Sequence, residues 1–284
     1  PTWTFLETVV PSDMEKIAID WVKRGNNGNS SIDKVPIGSW GKLLTIDRTE
    51  IESYQSIRTL IEEYIKSKTI RNPLSIAVFG PPGSGKSFGV KQLAASLGKK
   101  EDFPELTFNL SQMSSPDDLP MIFHKIRDVA LEGKTPLVFF DEFDSSLQNK
   151  SFGWLKYFLA PMQDGLFRDG EDMHPIGKAI FVFAGGTCQK YKEFETKVLP
   201  VKEGNFLDNS IKDAKGTDFI SRLRGFINIK GINKADDNDL YYPIRRAIIL
   251  RSILEKDYPQ FITKSGILMD PAIVRAFITV DRYR

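Results

Sequence analysis

Cysteine and histidine are scarce in this sequence. There is one cysteine, Cys188, and there are two histidines, His124 and His174, among 284 residues. A lone cysteine excludes an internal disulfide framework and is typical of a reducing compartment. So few cysteines and histidines argue against a zinc site, and neither histidine has a companion residue of the metal-ligand type. We interpret Cys188 as structural and both histidines as bystanders.

Long apolar runs and a strong excess of one charge are also missing. No run approaches the roughly 18 to 20 apolar residues that cross a bilayer. Residues 1–5 lack the charged-then-apolar pattern of a secretory signal. The formal charge is only +2, which gives no general reason to expect nucleic acid or a membrane as the main partner. We therefore expect a cytoplasmic protein with one sizeable core and a smaller satellite domain.

Short apolar runs alternate with helical stretches from Pro73 onward. The runs predicted to be strands are Ile76–Phe79, Leu106–Leu110, Leu137–Phe140, Ala179–Ala184 and Phe226–Ile229. Several are apolar at consecutive positions, as strands covered on both faces are. Helices between them imply right-handed crossovers. The pattern predicts a three-layer αβα fold with a mainly parallel, five-stranded sheet.

We divide the chain into three regions. Residues 1–70 are predicted to be a helical and linker region, 71–235 the α/β core, and 236–284 a small helical domain. Within the first region, Thr49 and Glu52 have capping-box spacing ahead of an amphipathic helix. In the core, the pair at 169–170 predicts a hairpin turn. In the last region, Asp239 is predicted to cap a helix that runs to about residue 256.

A glycine-rich loop follows the first predicted strand. It comprises Gly80, Pro81, Pro82, Gly83, Ser84, Gly85, Lys86 and Ser87, followed by Phe88, and fits G-x-x-x-x-G-K-[ST]. The glycines let backbone N–H groups point inward, and the following helix N-terminus adds partial positive charge. Lys86 is expected to reach the β- and γ-phosphates of a nucleotide, and the Ser87 hydroxyl to bind Mg²⁺.

An acidic pair, Asp141 and Glu142, ends the strand Leu137–Phe140. Ligands of such folds bind at the carboxyl ends of the strands, so we expect the pair beside Lys86, on an adjoining strand. Asp141 is predicted to hold Mg²⁺ through water, and Glu142 to orient and deprotonate the attacking water. The alternative is a solvated acidic turn that Asp144 continues.

Two later segments, which carry Thr187 and the arginines Arg222 and Arg224, complete the candidate site. Thr187 follows the strand Ala179–Ala184, where a hydroxyl is able to bond the γ-phosphate or the attacking water; a plain turn threonine is the alternative. Arg222 and Arg224 precede the last strand, where a cation reaches a neighbouring subunit's nucleotide more easily than its own. Two solvated arginines at a helix end are the alternative there.

These landmarks, in this order, resemble the AAA+ ATPases over about residues 45–284. The resemblance implies Mg²⁺-dependent ATP hydrolysis. It also implies that this chain prefers ATP to GTP. It places Thr187 at the sensor-1 position and Arg222, or as second choice Arg224, at the arginine finger. It implies that Asn109 or Ser111 restrains Glu142.

The resemblance extends to two further segments, residues 159–170 and the C-terminal helical tail. The stretch Leu159–Gly170 is similar to the helix and hairpin before sensor 1 in Clp-like members. The tail resembles the AAA+ lid, with the sensor-2 arginine expected beyond Arg284 or, as second choice, at Arg275. We therefore expect a truncated lid in a fragment of a longer protein. Residues 112–120 lack the aromatic residue of polypeptide-threading members, which argues against an unfoldase.

The leading hypothesis is a ring, expected to be a hexamer, that remodels a macromolecular client with Arg222 acting in trans. An alternative is a nucleotide-switched interaction module with little turnover, against which the intact pair Asp141 and Glu142 argues. A third option, a small-molecule phosphotransferase, gives no reason for Arg222 or for the helical tail.

Overall fold

The computed structural model describes residues 11–25, 36–199, 214–263 and 266–282. The α-helices of these residues are α1 Pro11–Arg24, α2 Arg48–Lys66, α3 Lys86–Ala95, α4 Leu119–Leu131, α5 Leu159–Gln163, α6 Tyr191–Val198, α7 Gly216–Arg222, α8 Tyr242–Asp257 and α9 Pro271–Thr279. The strands are β1 Gly38–Trp40, β2 Leu43–Thr45, β3 Leu74–Phe79, β4 Glu105–Asn109, β5 Leu137–Asp141, β6 Leu166–Asp169, β7 Asp172–Pro175, β8 Ile180–Ala184, β9 Gly225–Asn228, β10 Ile262–Thr263 and β11 Gly266–Ile267.

The described residues fall into two compact units. We call Glu52–Ile229 the core unit, and Pro1–Ile51 together with Lys230–Arg284 the helical unit. The three-region division of the sequence stays a prediction. No helix among the described residues combines the length and the apolar character needed to cross a bilayer.

The core unit is built on a five-stranded sheet with the order β4-β5-β8-β3-β9. Every neighbouring pair is parallel, which confirms the predicted sheet. The expectation that β3 and β5 adjoin was wrong, because both pair with β8, which lies between them. The carboxyl ends of β3, β8 and β5 therefore lie side by side at one edge.

Helices cover both faces of this sheet. Ala77 and Phe79 of β3 belong to a buried cluster that includes Phe123 of α4 and Phe219 of α7. On the opposite face, the Lys91 ammonium of α3 lies 5.3 Å from the centre of the Phe139 ring. All residues of β3 and β8 are buried, as the continuous apolar runs predicted. The three-layer αβα fold is confirmed.

Helix α2 begins earlier than the capping box predicted. The carboxylate of Asp47 accepts hydrogen bonds from the backbone N–H groups of Thr49 and Glu50, at 3.0 and 3.2 Å. Asp47 therefore caps the helix in place of Thr49, and its pKa is lowered: burial opposes ionisation, but bonds from Lys230 and Thr49 outweigh it. Tyr54 and Ile57 of α2 are buried, as the helical periodicity predicted.

The predicted turn before β8 is present. Strands β6 and β7 pair antiparallel, with Asp169 opposite Asp172, and Gly170 at the turn has φ 60°. A positive φ is readily adopted by glycine, which explains the Asp-Gly sequence at this place.

The helical unit packs α1, α8 and α9 around its own apolar cluster. Trp21 of α1, Ile244 of α8 and Val274 of α9 all belong to this cluster. Helix α8 begins at Tyr242, and the predicted cap Asp239 plays a different part: its carboxylate accepts two bonds from the guanidinium of Arg245, at 2.8 and 2.5 Å. The capping prediction was wrong because this buried ion pair takes the carboxylate.

Candidate nucleotide site

The loop between β3 and α3 is shaped by two glycines with positive φ. Gly83 has φ 74° and Gly85, the residue before α3, has φ 82°. A β-carbon built at Gly83 meets no described atom within 4 Å, and one at Gly85 meets only Cβ of Phe88, at 3.9 Å. The glycines are therefore required by backbone conformation, and the space over them is open. An open, amide-lined turn at a helix N-terminus is a suitable cradle for phosphate groups.

Gly80 is required for a different reason, because its surroundings are crowded. A β-carbon at Gly80 would lie 2.6 Å from Oγ of Ser84 and 2.7 Å from the carbonyl oxygen of Ile229. The Ser84 hydroxyl is buried and has no hydrogen-bond partner among the described residues. The first glycine thus lets the loop turn tightly against the end of β9.

Lys86 is the first residue of α3 and folds back over the loop. Its ammonium group donates to the carbonyl oxygens of Gly80 and Pro81, at 2.8 and 3.4 Å. Burial lowers the pKa of Lys86, whereas the charges of Asp141, Asp144 and Glu142 raise it. Both acceptors of the ammonium group are neutral, and a bound phosphate would give it an anionic partner.

Asp141 lies at the carboxyl end of β5, and its surroundings suit a cation. Burial raises the pKa of Asp141, the charge of Lys86 lowers it, and the charge of Glu142 raises it. Ser87, in the first turn of α3, is partly buried, and Phe88 beside it is exposed. The structure thus brings Lys86 and Asp141 within electrostatic reach of each other.

Glu142 stands in an uncommon backbone conformation. Its φ is 55°, and its backbone N–H donates to the carbonyl oxygen of Ala184, at 2.9 Å. A β-carbon on Gly186 would lie 2.6 Å from Cγ of Glu142, so a glycine there leaves room for the carboxylate side chain. A non-glycine residue with positive φ costs free energy and is typical of functional sites.

Asp144 has a role that sequence reasoning missed. It is buried, and its carboxylate accepts bonds from the backbone N–H groups of Gly186, Thr187 and Cys188, at 2.8, 3.0 and 2.6 Å. Asp144 therefore ties the loop after β8 to the segment that carries Glu142. The alternative of a solvated turn is wrong for this residue. No local pattern reveals it, because the partners lie more than forty residues away in the sequence.

We predict that Asp144→Asn destabilises the core unit. A carboxamide has one acceptor oxygen and turns an N–H group toward backbone donors, so buried bonds are lost. Hydrogen bonds to charged groups contribute about 1.5–3 kcal/mol each. The free energy of unfolding should fall by about 2–3 kcal/mol in urea titrations, whereas Asp164→Asn, at an exposed position, should change it little. An unchanged unfolding midpoint for Asp144→Asn would contradict this reading of the contacts.

Thr187 lies on the loop after β8, between the phosphate loop and the acidic pair in sheet order. Its side chain is exposed, and its hydroxyl is 3.5 Å from the carbonyl oxygen of Asp144. Cys188, the next residue, is buried, and burial raises the pKa of its thiol to about 12. A thiol of such high pKa is unreactive near neutral pH. The structural interpretation of Cys188 fits these observations.

Arg222 and Arg224 lie near the amino ends of the strands, opposite to the ends that carry the phosphate loop and the acidic pair. The backbone N–H of Arg224 donates to the carbonyl oxygen of Ser75, near the start of β3, at 2.9 Å. Ser75 and Gly80 are five positions apart along the strand, roughly 17 Å at 3.3 Å per residue. Arg224 is exposed, whereas Arg222 is partly buried and its guanidinium donates to the side chain of Gln163. Neither arginine is brought to Lys86 of the same chain.

Three further positions stay predictions. The side-chain oxygen of Asn109 accepts from the backbone N–H and the hydroxyl of Ser111, at 2.9 and 2.8 Å. Asn109 pairs in register with Asp141, which places it one strand from the acidic pair. Arg275 forms an exposed ion pair with Glu15 in the helical unit.

The parallel αβα sheet, the glycine-rich loop before α3 and the acidic end of β5 define a P-loop nucleotide-binding protein. Residues 76–191 match the AAA family, described as the ATPase family associated with various cellular activities. Residues 76–191 therefore carry an AAA domain of this P-loop class.

Two ATPases are among the proteins similar to this chain. The chain is 30% identical over 139 residues to the proteasome-associated ATPase of Nocardia farcinica, covering 43% of this chain and 23% of that protein. It is 28% identical over 180 residues to an "AAA ATPase forming ring-shaped complexes" of Corynebacterium jeikeium, covering 59% and 34%. The matches thus span between about a quarter and a third of the length of these relatives.

A solved structure of the Aeropyrum pernix ORC2 protein, in ADPNP–ADP complexes, is also similar. It has a TM-score of 0.46 and 12% sequence identity, and covers 82% of this chain and 68% of that chain. The fold assignment here rests on the strand order and the helical layers.

Proposed function

We propose that this chain hydrolyses ATP in a Mg²⁺-dependent reaction at the site of Lys86, Asp141 and Glu142. The observation that carries the proposal is the meeting of Lys86 and Asp141 at the carboxyl edge of one sheet, where each influences the pKa of the other. An ammonium group beside an open phosphate cradle and a carboxylate suited to a cation are what phosphoryl transfer from a nucleotide requires.

The residues fit a Mg²⁺–nucleotide complex. The open space over Gly83 and Gly85 accommodates phosphate groups against backbone N–H donors. Ser87 and Asp141 would hold the metal ion, and a cation there would relieve the cost of ionising the desolvated Asp141 carboxylate. Bound Mg²⁺ neutralises charge that develops on the phosphate oxygens.

Within this site, Glu142 would hold the attacking water and take its proton. Its backbone N–H is bonded to the carbonyl oxygen of Ala184, and its side chain lies beside Gly186. Thr187 follows directly on that glycine, and its backbone is bound by Asp144. We infer that Thr187 orients the water or the γ-phosphate from the neighbouring strand end.

Phosphate release from ATP tests this proposal against a switch that binds nucleotide without turnover. The wild-type protein should release phosphate in the presence of Mg²⁺, and the release should stop when the ion is chelated. Tight nucleotide binding with no phosphate release, at concentrations where the protein is assembled, would favour the switch. Comparison of ATP with GTP in the same assay measures the base preference.

We further propose that the active form is a ring, a hexamer, in which an arginine of one subunit completes the next subunit's site. The amino-edge position of Arg222 and Arg224 supports an action in trans, because neither reaches its own phosphate loop. A relative of similar sequence is named for ring-shaped complexes. Remodelling of a macromolecular client is the corresponding role of the ring.

We expect Arg222→Ala to lower turnover per subunit by about 10³-fold in the assembled protein, because an arginine supplied in trans contributes 10³–10⁵ in related systems. Arg224→Ala is the matched variant, and mass measurement with a non-hydrolysable nucleotide verifies that both still assemble. If Arg224→Ala lost turnover and Arg222→Ala did not, Arg224 would be the arginine that acts in trans. Unchanged turnover in both would refute an arginine in trans.

A further inference from the structure

The fold brings together the two histidines that are fifty residues apart in the sequence. His124 lies in the middle of α4 and His174 lies in β7, and their ring centres are 5.1 Å apart. Asp169 of β6 completes the group: its carboxylate oxygen lies 3.0 Å from Nε2 of His124. The expectation that neither histidine has a companion of the metal-ligand type was wrong, because the companions come from other elements.

The pairing of the hairpin explains why these side chains converge. Phe167 pairs with His174, and Asp169 pairs with Asp172. Side chains of paired residues, and of residues two apart, share one face of a ribbon. Asp169 and His174 are therefore on the same face of the hairpin as Phe167, whose ring packs edge-on against His124 with centres 4.8 Å apart.

The ligand atoms are close enough to share one ion. One atom from each of His124, Asp169 and His174 lies within 4.8 Å of the others. Around a tetrahedral ion with ligands at about 2.0–2.1 Å, ligand atoms stand roughly 3.3 Å apart. Small side-chain rotations therefore suffice, and the partly exposed histidines leave a path for the ion.

One neighbouring cation opposes such an ion. The guanidinium of Arg127 donates to Nδ1 of His174, at 3.4 Å. A neutral histidine whose Nδ1 accepts a bond carries its proton on Nε2. An ion bound at Nδ1 would replace the bond from Arg127 directly. An ion bound at Nε2 would move the proton to Nδ1, which then no longer accepts from Arg127. The displaced bond and the positive charge would both weaken metal binding.

We propose that His124, Asp169 and His174 form a binding site for a divalent transition-metal ion such as Zn²⁺, separate from the nucleotide site. Two imidazoles and one carboxylate are a ligand set that zinc and its neighbours bind, with a fourth position open to water. The bound ion links α4 to the hairpin β6–β7, which leads directly into β8.

Cobalt(II) is the probe, because tetrahedral Co²⁺ with nitrogen ligands absorbs visible light. Protein without a histidine tag and without nucleotide is titrated with Co²⁺ and then with Zn²⁺ as competitor. We expect one ion per chain and a tetrahedral spectrum. Asp169→Asn, at an exposed position, and His174→Ala should each weaken binding by at least about tenfold, since even outer partners of metal ligands contribute 10–100-fold.

Three variants locate the ion. Glu132→Gln removes an exposed carboxylate just beyond the end of α4, about two helical turns from His124, and Asp141→Asn removes the carboxylate of the candidate nucleotide site; both should retain the spectrum. Arg127→Met should tighten binding, because the competing cation is gone. No binding by the wild type, or equal binding after the Asp169 and His174 substitutions, would overturn the proposal.

Discussion

Replacing Lys86 by alanine should weaken ATP binding by about a hundredfold or more. The ammonium group lies over the phosphate loop, where it donates to the carbonyl oxygens of Gly80 and Pro81. Bound nucleotide replaces these neutral acceptors with phosphate oxygens. Charge-assisted bonds contribute about 1.5–3 kcal/mol each, and two of them correspond to two or more factors of ten in affinity.

Titration with a non-hydrolysable ATP analogue measures this loss directly. Lys99→Ala removes the same charge from an exposed position after α3 and should leave the affinity unchanged. Thermal unfolding of the nucleotide-free proteins should differ little, because Lys86 donates only to loop carbonyls there. Tight binding that persists in folded Lys86→Ala would exclude this loop as the phosphate site.

The sheet could be predicted because its strands are buried on both faces. Continuous apolar runs identified five strands, and their ends differ from the structure by one or two residues. The start of β3 was missed because Ser75 interrupts the apolar run. Ser75 is nevertheless buried, and its carbonyl oxygen accepts a bond from Arg224. Periodicity reports which side chains are apolar, whereas strand ends depend on backbone partners elsewhere.

Strand order could not be read in the same way. The expected contact between the loop strand and the acid strand followed from their motifs, but β8 pairs with both. Nothing local in the sequence of β8 specifies its neighbours. This order suits the proposed function of Thr187, because the loop that carries it follows β8, between β3 with the phosphate loop and β5 with Glu142.

Long-range polar contacts were the main omission at the site. Asp144 entered the sequence analysis only as part of an alternative, a solvated turn, yet its carboxylate binds three backbone N–H groups of the loop after β8. Likewise, His124 and His174 meet only because α4 packs on the hairpin. Motifs identify residues whose chemistry is local to one loop. Clusters assembled from separate elements become visible only in the fold.

Glu142→Gln separates catalysis from binding more sharply than any other substitution in this chain. The two side chains have nearly the same shape, so the contacts with Gly186 and the backbone bond to Ala184 should persist. A carboxamide, however, cannot take a proton from water. General-base catalysis contributes about 10²–10⁴ in rate, and turnover should fall by that factor while ATP affinity stays the same.

The measurement pairs phosphate release with equilibrium binding of ATP on the same preparation. Glu101→Gln, an exposed substitution of the same kind before β4, provides the control and should hydrolyse ATP at the wild-type rate. The bond between the Glu142 backbone N–H and Ala184 does not involve the carboxylate, so we expect the backbone conformation with positive φ to persist in the variant. Normal hydrolysis by Glu142→Gln would assign proton removal to another group. Loss of both hydrolysis and binding would instead make Glu142 part of the nucleotide cradle.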